Sequence, residues 1–124
     1  MRLFKSKAFG RFARSQGITD EDLCEAIERA GRGLIDANLG GNVIKRRIAR
    51  EGEGKSGGFR SIIFFKSGDK AIFVHGFEKS AKANIATDEL KEYKAAAKII
   101  LKYSDEQMNV AVASGTYVEV RQRK

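Results

Sequence analysis

The chain has 124 residues, enough for one domain with a single core and too few for two. Its net charge of +8 and pI near 9.8 favour a nucleic acid, an anionic membrane surface or an acidic protein as partner. One cysteine and one histidine exclude an intramolecular disulfide, a paired-cysteine metal knuckle and a histidine-based metal cluster, so no metal or cofactor is expected.

Phe4, Ala8 and Phe12 recur at i, i+4 and i+8, which predicts a first helix with a basic outer face, ending at Gly17. Thr19-Asp20-Glu21-Asp22 matches the capping-box pattern, and Leu23, Ile27, Ala30 and Leu34 then line one face of a second helix. Asp20, Glu21 and Asp22 lie where the positive end of that helix dipole favours them. Leu39-Gly40-Gly41 breaks the pattern before three strands, at about 43–49, 59–66 and 70–77. The first is basic, through Lys45, Arg46 and Arg47. The other two are apolar on both faces, which places them centrally in a sheet, joined by a hairpin at Ser67-Gly68-Asp69. Thr87 reads as the N-cap of a third helix burying Leu90, Tyr93, Ala97 and Ile100. Ser104 to Gln107 forms another capping box, opening a short fourth helix through Met108, Ala111 and Val112. Tyr117-Val118-Glu119-Val120 alternates like a final strand. Without internal repeats or a linker, this order predicts a single α+β domain over residues 1–124. Its expected form is one antiparallel sheet with helices on one side, the first and third helices packed against it.

The charge is uneven. Residues 1–17 hold five basic and no acidic groups, residues 18–40 two against six, and residues 41–82 ten against four. Lys45, Arg47 and Arg60 are expected to project from neighbouring strands beside a glycine-rich loop that adds Arg50 and Lys55. A polyanion would offset their mutual repulsion, whereas a solvated edge that discourages sheet-to-sheet pairing is the plainer alternative.

Other motifs fall away. Gly54-Lys55-Ser56 resembles the end of a phosphate-binding P-loop, but that loop needs a glycine where Ala49 stands and a helix where Gly57-Gly58 follow. Gly52-x-Gly54-x-x-Gly57 matches a dinucleotide fingerprint, but strands flank it on both sides. His75 on an apolar strand reads as a satisfied, half-buried histidine, Cys24 as a small buried hydrophobe, and Tyr93 and Tyr103 as packing residues. The first residues lack the apolar stretch of a signal peptide and no apolar run could span a bilayer, so a reducing, cytoplasmic compartment is expected.

Four segments, taken in order and spacing, carry a family likeness: Lys45-Arg46-Arg47-Ile48-Ala49-Arg50, Gly54-Lys55-Ser56-Gly57-Gly58-Phe59-Arg60, Val74-His75-Gly76-Phe77-x-Lys79-Ser80 and Ala83-Asn84-Ile85. They resemble the HigB-like branch of the RelE toxins of bacterial type II toxin–antitoxin systems. The resemblance covers roughly residues 34 to 120, while residues 1–33 match only in helical character. It implies a RelE/ParE-like fold, a small antiparallel sheet with an N-terminal helical pair and C-terminal helices packed on it. It also implies entry into the ribosomal A site, cleavage of messenger RNA there, contact with ribosomal RNA, and restraint by a small helix-turn-helix antitoxin.

Carried over by motif position, the resemblance makes Lys45, Arg47, Arg60 and Lys79 the catalytic set. Cleavage through the RNA's own 2′-hydroxyl needs a base, a proton donor and positive charge on the phosphorane, but no metal. A lysine can move a proton, whereas an arginine is a poor base and a good phosphate clamp. Arg46, Arg50 and Lys55 are expected to hold the RNA backbone. Phe77 and Glu78 occupy the region where the family often has an arginine, and no tyrosine follows Ser80 closely, so the identity of base and acid stays open. Two other readings stand beside this one: a ParE-like topoisomerase poison, and a non-catalytic nucleic-acid- or antitoxin-binding domain.

Overall fold

A computed structural model of the chain describes residues 1–48, 58–78 and 86–122. Strand β1 (Arg2–Ser6) leads into helices α1 (Lys7–Gln16) and α2 (Asp20–Gly31). Four strands follow: β2 (Ala37–Gly40), β3 (Val43–Ile48), β4 (Phe59–Lys66) and β5 (Lys70–Glu78). Helices α3 (Thr87–Ile100) and α4 (Asp105–Ala113) and strand β6 (Tyr117–Glu119) complete the fold. The strands form one sheet in the order β2-β3-β4-β5-β1-β6. All neighbours are antiparallel except β1 and β5, which run parallel with Phe4 beside Ile72.

The α+β class and the strands expected at about 43–49, 59–66 and 70–77 match, but the sheet is not wholly antiparallel, because β1 joins β5 in parallel, and the helices do not lie on one side. Leu3, Phe9, Ala13, Leu23, Ile27, Ile44, Ile48, Ile63, Ala71 and Phe73 join in one core, which belongs to α1 and α2. Phe4, Val43, Ile62, Phe64, Ile72, Phe77, Ala97, Ile100 and Met108 join in a second, which belongs to α3 and α4. β4 and β5 present apolar side chains on both faces, and each face has to be covered.

The first helix starts later than its spacing predicts. Ser6 is the N-cap, its hydroxyl accepting from the Phe9 N–H at 3.1 Å. Residues 2–6 are therefore free to pair as β1, with Leu3 and Phe4 buried on opposite faces. Phe4 is not helical, Ala8 is exposed, and Phe9 and Ala13 form the buried stripe with Phe12 half-buried beside them. The i, i+4, i+8 recurrence arose because an alternating strand happened to run into a helix. α1 does end at Gly17, in the left-handed conformation at φ 71°.

α2 carries the expected capping box, but it stops at Gly31, and Leu34 is exposed beyond it. β2 was not anticipated. It is a four-residue edge strand, linked to β3 through Gly40, Gly41 and Asn42, all at positive φ, where glycine and asparagine are favoured. Thr87 is the first residue of α3, not its cap. The cap is Ala86, whose N–H donates to the Glu89 carboxylate at 3.3 Å. In the capping box of α4, the Ser104 hydroxyl accepts from the Gln107 N–H at 3.2 Å.

Polar fastenings tie the termini together. Arg2 holds Glu119 through Nε and Nη2, both at 2.9 Å, and reaches Asn109 on α4 at 2.8 Å. The Asp20 carboxylate accepts from Lys5 Nζ at 3.0 Å and from the Arg121 N–H at 2.9 Å. Among the described residues, no helix is long and apolar enough to cross a membrane.

Candidate functional site

Alternation along β3 sends Val43, Lys45 and Arg47 to one face and Ile44, Arg46 and Ile48 to the other. The cores identify the faces: Val43 packs in the α3/α4 core, and Ile44 and Ile48 in the α1/α2 core. The register then aligns two rows across the sheet. Arg47 stands opposite Arg60 and Arg60 opposite Phe77, while Lys45 stands opposite Ile62 and Ile62 opposite His75. Directly opposed residues share a face, so Lys45, Arg47, Arg60 and His75 lie together on the α3 side.

A bulge decides the place of His75. Ile63 pairs with Phe73 but Ile62 pairs with His75, so β5 carries one extra residue at Val74. Strict alternation from Phe73 would have sent His75 to the α1/α2 face. With the bulge, its ring lies 5.7 Å from Phe77 and 6.3 Å from Tyr93 on α3, and Gly76 turns toward α1 instead. A methyl group at Gly76 would sit 2.4 Å from the Phe12 ring. His75 is thus half-buried among rings, and Tyr93 packs as expected, both beside the cationic rows.

An acid that the sequence reading left out organises the cations. The Asp36 N–H donates to the Lys45 carbonyl at 2.9 Å, extending the β2–β3 ladder by one residue. Its carboxylate lies 2.9 Å from Arg60 Nε and 3.8 Å from Arg46 Nη1. All three side chains are mostly withdrawn from water, at 14% exposure for Arg46, 16% for Arg60 and 25% for Asp36. Arg47 directly across from Arg60 is a like-charge pair that a sheet disfavours, and Asp36 offsets it. Counted by blocks, Asp36 is one of the six acids of residues 18–40. The available signal was its place as the one acid between α2 and Lys45.

Arg46 points away from Lys45 and Arg47, as alternation predicts. Arg46 lines a small cleft together with Arg47 and with Asp22, Glu25 and Arg29 of α2. Burial pushes the Arg46 guanidinium below the usual arginine range, against the pull of Asp36. Beside it, the buried Ser61 hydroxyl donates to the Arg46 carbonyl at 2.7 Å. Lys79, Arg50 and Lys55 lie outside the described residues, as does the glycine-rich loop with its P-loop and dinucleotide look-alikes.

A groove of about 660 Å³ lies elsewhere, on α2 between Leu3, Cys24, Ile27, Glu21, Glu28 and Arg121. It holds none of the cationic rows. Cys24 is half-buried there, not fully buried, and its thiol donates to the Arg121 carbonyl at 3.4 Å. Desolvation, reinforced by Asp20 and Glu21, raises that thiol above its ordinary pKa, so it is not an activated nucleophile.

A search of curated proteins found no match. Among protein families, the one described as RelE toxin of RelE / RelB toxin-antitoxin system matches residues 1–120, so the likeness extends through β1, α1 and α2 as well as the basic strands. The chain belongs to the RelE toxin family of the RelE/RelB toxin–antitoxin systems.

Proposed function

We propose that this toxin is a ribosome-dependent endoribonuclease of the HigB-like branch, acting in the cytoplasm. It inhibits translation by promoting attack of the message's own 2′-hydroxyl on the adjacent phosphate. The observation that supports this most is the juxtaposition of Lys45, Arg47 and Arg60 in adjacent rows on one face of a sheet, in a chain of this family. Preorganised cations on a phosphorane are the largest aid such a reaction can receive without a metal. In this reading Arg47 and Arg60 clamp the phosphate, while Lys45 and Lys79 supply proton transfer. Arg50 and Lys55 hold the RNA backbone from the loop, and Arg46, paired and mostly buried, contributes its field. Messenger and ribosomal RNA are the partners in the A site, and a small helix-turn-helix antitoxin is the restraint. The basic β3 strand separates this reading from a ParE-like topoisomerase poison, which has no need of it.

Mapping transcript ends after induction of the toxin tests the assignment. Cuts confined to translated messages are expected, and intact messages during growth arrest would refute it. Arg47→Ala and Arg60→Ala should each reduce cleavage by about a hundredfold, the loss that accompanies one preorganised transition-state contact. Neutralising Arg50 and Lys55 together should weaken ribosome association and flatten its salt dependence, leaving single-turnover cleavage at saturation nearly unchanged.

A further inference from the structure

We infer that Asp36 is a positioning residue of the toxin, holding Arg60 in the orientation that meets phosphate; this rests on the endonuclease reading above. Asp36 is placed by backbone, not by chance contact, since its N–H is bonded to the Lys45 carbonyl at 2.9 Å in the ladder of the basic strand. Its carboxylate takes Arg60 at Nε, at 2.9 Å. A guanidinium gripped at Nε keeps its two terminal nitrogens for another oxyanion, in the fixed planar fork that matches a phosphate. Arg60 Nη1 is buried and makes no hydrogen bond among the described residues. That donor is enclosed, so Nη2 is the terminal nitrogen left to meet a phosphate oxygen.

The same carboxylate reaches Arg46 from the other side, at 3.8 Å. It therefore links Arg60 on β4 to Arg46 on β3. Arg60 without Asp36 would face Arg47 directly across the ladder, and repulsion would drive the two guanidinium groups apart. The pair would then be too wide to bridge one phosphate. A surface ion pair would have little such effect, but at 16% and 25% exposure this one is sheltered from solvent.

Removing the Asp36 charge and losing the Arg60 position act in opposite directions. Asp36→Asn keeps the shape and removes a negative charge, so binding to programmed ribosomes carrying a non-cleavable message should be as tight as wild type or tighter. Single-turnover cleavage at saturation should nevertheless fall by roughly tenfold to a hundredfold, as expected when a reacting contact is displaced by about an ångström. In an Arg60→Ala background, Asp36→Asn should add no further loss. A residue that only supports the fold would lower the melting temperature and the binding together with the rate. Wild-type cleavage by Asp36→Asn, or losses that multiply with those of Arg60→Ala, would overturn the assignment. Wild-type toxin that leaves messages intact would sink the endonuclease reading by itself. The positioning is then read directly from the Arg60 Nε–H resonance, expected to be sharp and slowly exchanging in wild type and shifted and broadened in Asp36→Asn. An unchanged resonance counts against it.

Discussion

At the scale of single residues, Lys70 shows how a charge is kept inside. It is 3% exposed, yet its ammonium donates to the carbonyls of Tyr103 at 2.9 Å and Leu101 at 3.4 Å and pairs with Asp69 at 3.1 Å. Those carbonyls lie just past α3, where the helix dipole also favours a cation. Lys70→Met fills similar volume but leaves buried acceptors unpaired, so it should lower stability by about 2 kcal/mol in urea unfolding. A smaller change than about 0.5 kcal/mol would mean that solvent reaches these carbonyls. Gly76 is governed by space. With Phe12 carbons 2.4 and 2.5 Å from a would-be Cβ, Gly76→Ala must push α1 away from β5 and should cost about 1–3 kcal/mol. Phe12 also packs edge-on against Phe59 at 5.5 Å, so Phe12→Leu, destabilising alone, should recover part of the loss in the double variant.

Among the elements, α2 and α4 are set by their first turns. Thr19 and Asp22 exchange side-chain and backbone hydrogen bonds at 3.2 and 2.9 Å, and Thr19→Ala should cost about 1 kcal/mol by thermal or urea unfolding. β1 depends instead on distant partners. It has β5 on one side and β6 on the other, and it supplies Leu3 to one core and Phe4 to the other. Leu3→Ala and Phe4→Ala should therefore both be severe, about 2–5 kcal/mol each. Had residues 2–6 been the first turn of an amphipathic helix, Leu3, one residue before Phe4, would lie off its stripe and its truncation would be nearly silent. The bulge in β5 delivers His75 and Phe77 to the α3 face and leaves Gly76 for α1.

For the whole molecule, the termini are joined by ion pairs whose carboxylates titrate low. The Arg2 guanidinium holds Glu119 below the usual glutamate range, and Lys70 does the same for Asp69. Burial pushes Asp20 upward, but the Arg121 N–H and Lys5 outweigh it and the net shift is downward. A carboxyl depressed in the folded state contributes stability that is complete above its unfolded pKa and is lost as pH falls toward the folded value. The urea midpoint should thus stay level from neutral pH to about pH 5 and decline through the ordinary carboxylate range near pH 4. Glu119→Gln should shrink that decline. A midpoint that rises on acidification would show that these carboxylates are not held below their ordinary range in the folded protein.

Much of this fold was legible from local chemistry. Capping boxes at Thr19 and Ser104, the glycine stop at Gly17 and the runs 59–66 and 70–77 speak through nearest neighbours, and they resolve within a residue or two. The two-sided apolarity of β4 and β5 was legible as well, but the expectation of helices on one side missed the cover that each face needs. β1 was not, because a five-residue strand has no signal apart from the partner 68 residues away that pairs with it. The cationic rows were readable because Lys45, Arg47 and Arg60 follow from alternation along two strands that are consecutive in the sequence. Their acid was not: Asp36 becomes a partner of Arg60 only once β2 folds onto β3 and β3 onto β4. The face of His75 likewise hung on one extra residue in β5, since a shift of one position reverses every side chain beyond it. Composition and periodicity determined the class, the central strands and the basic strand. Only long-range pairing decided which charges meet, because that geometry exists nowhere along the chain until the sheet has closed.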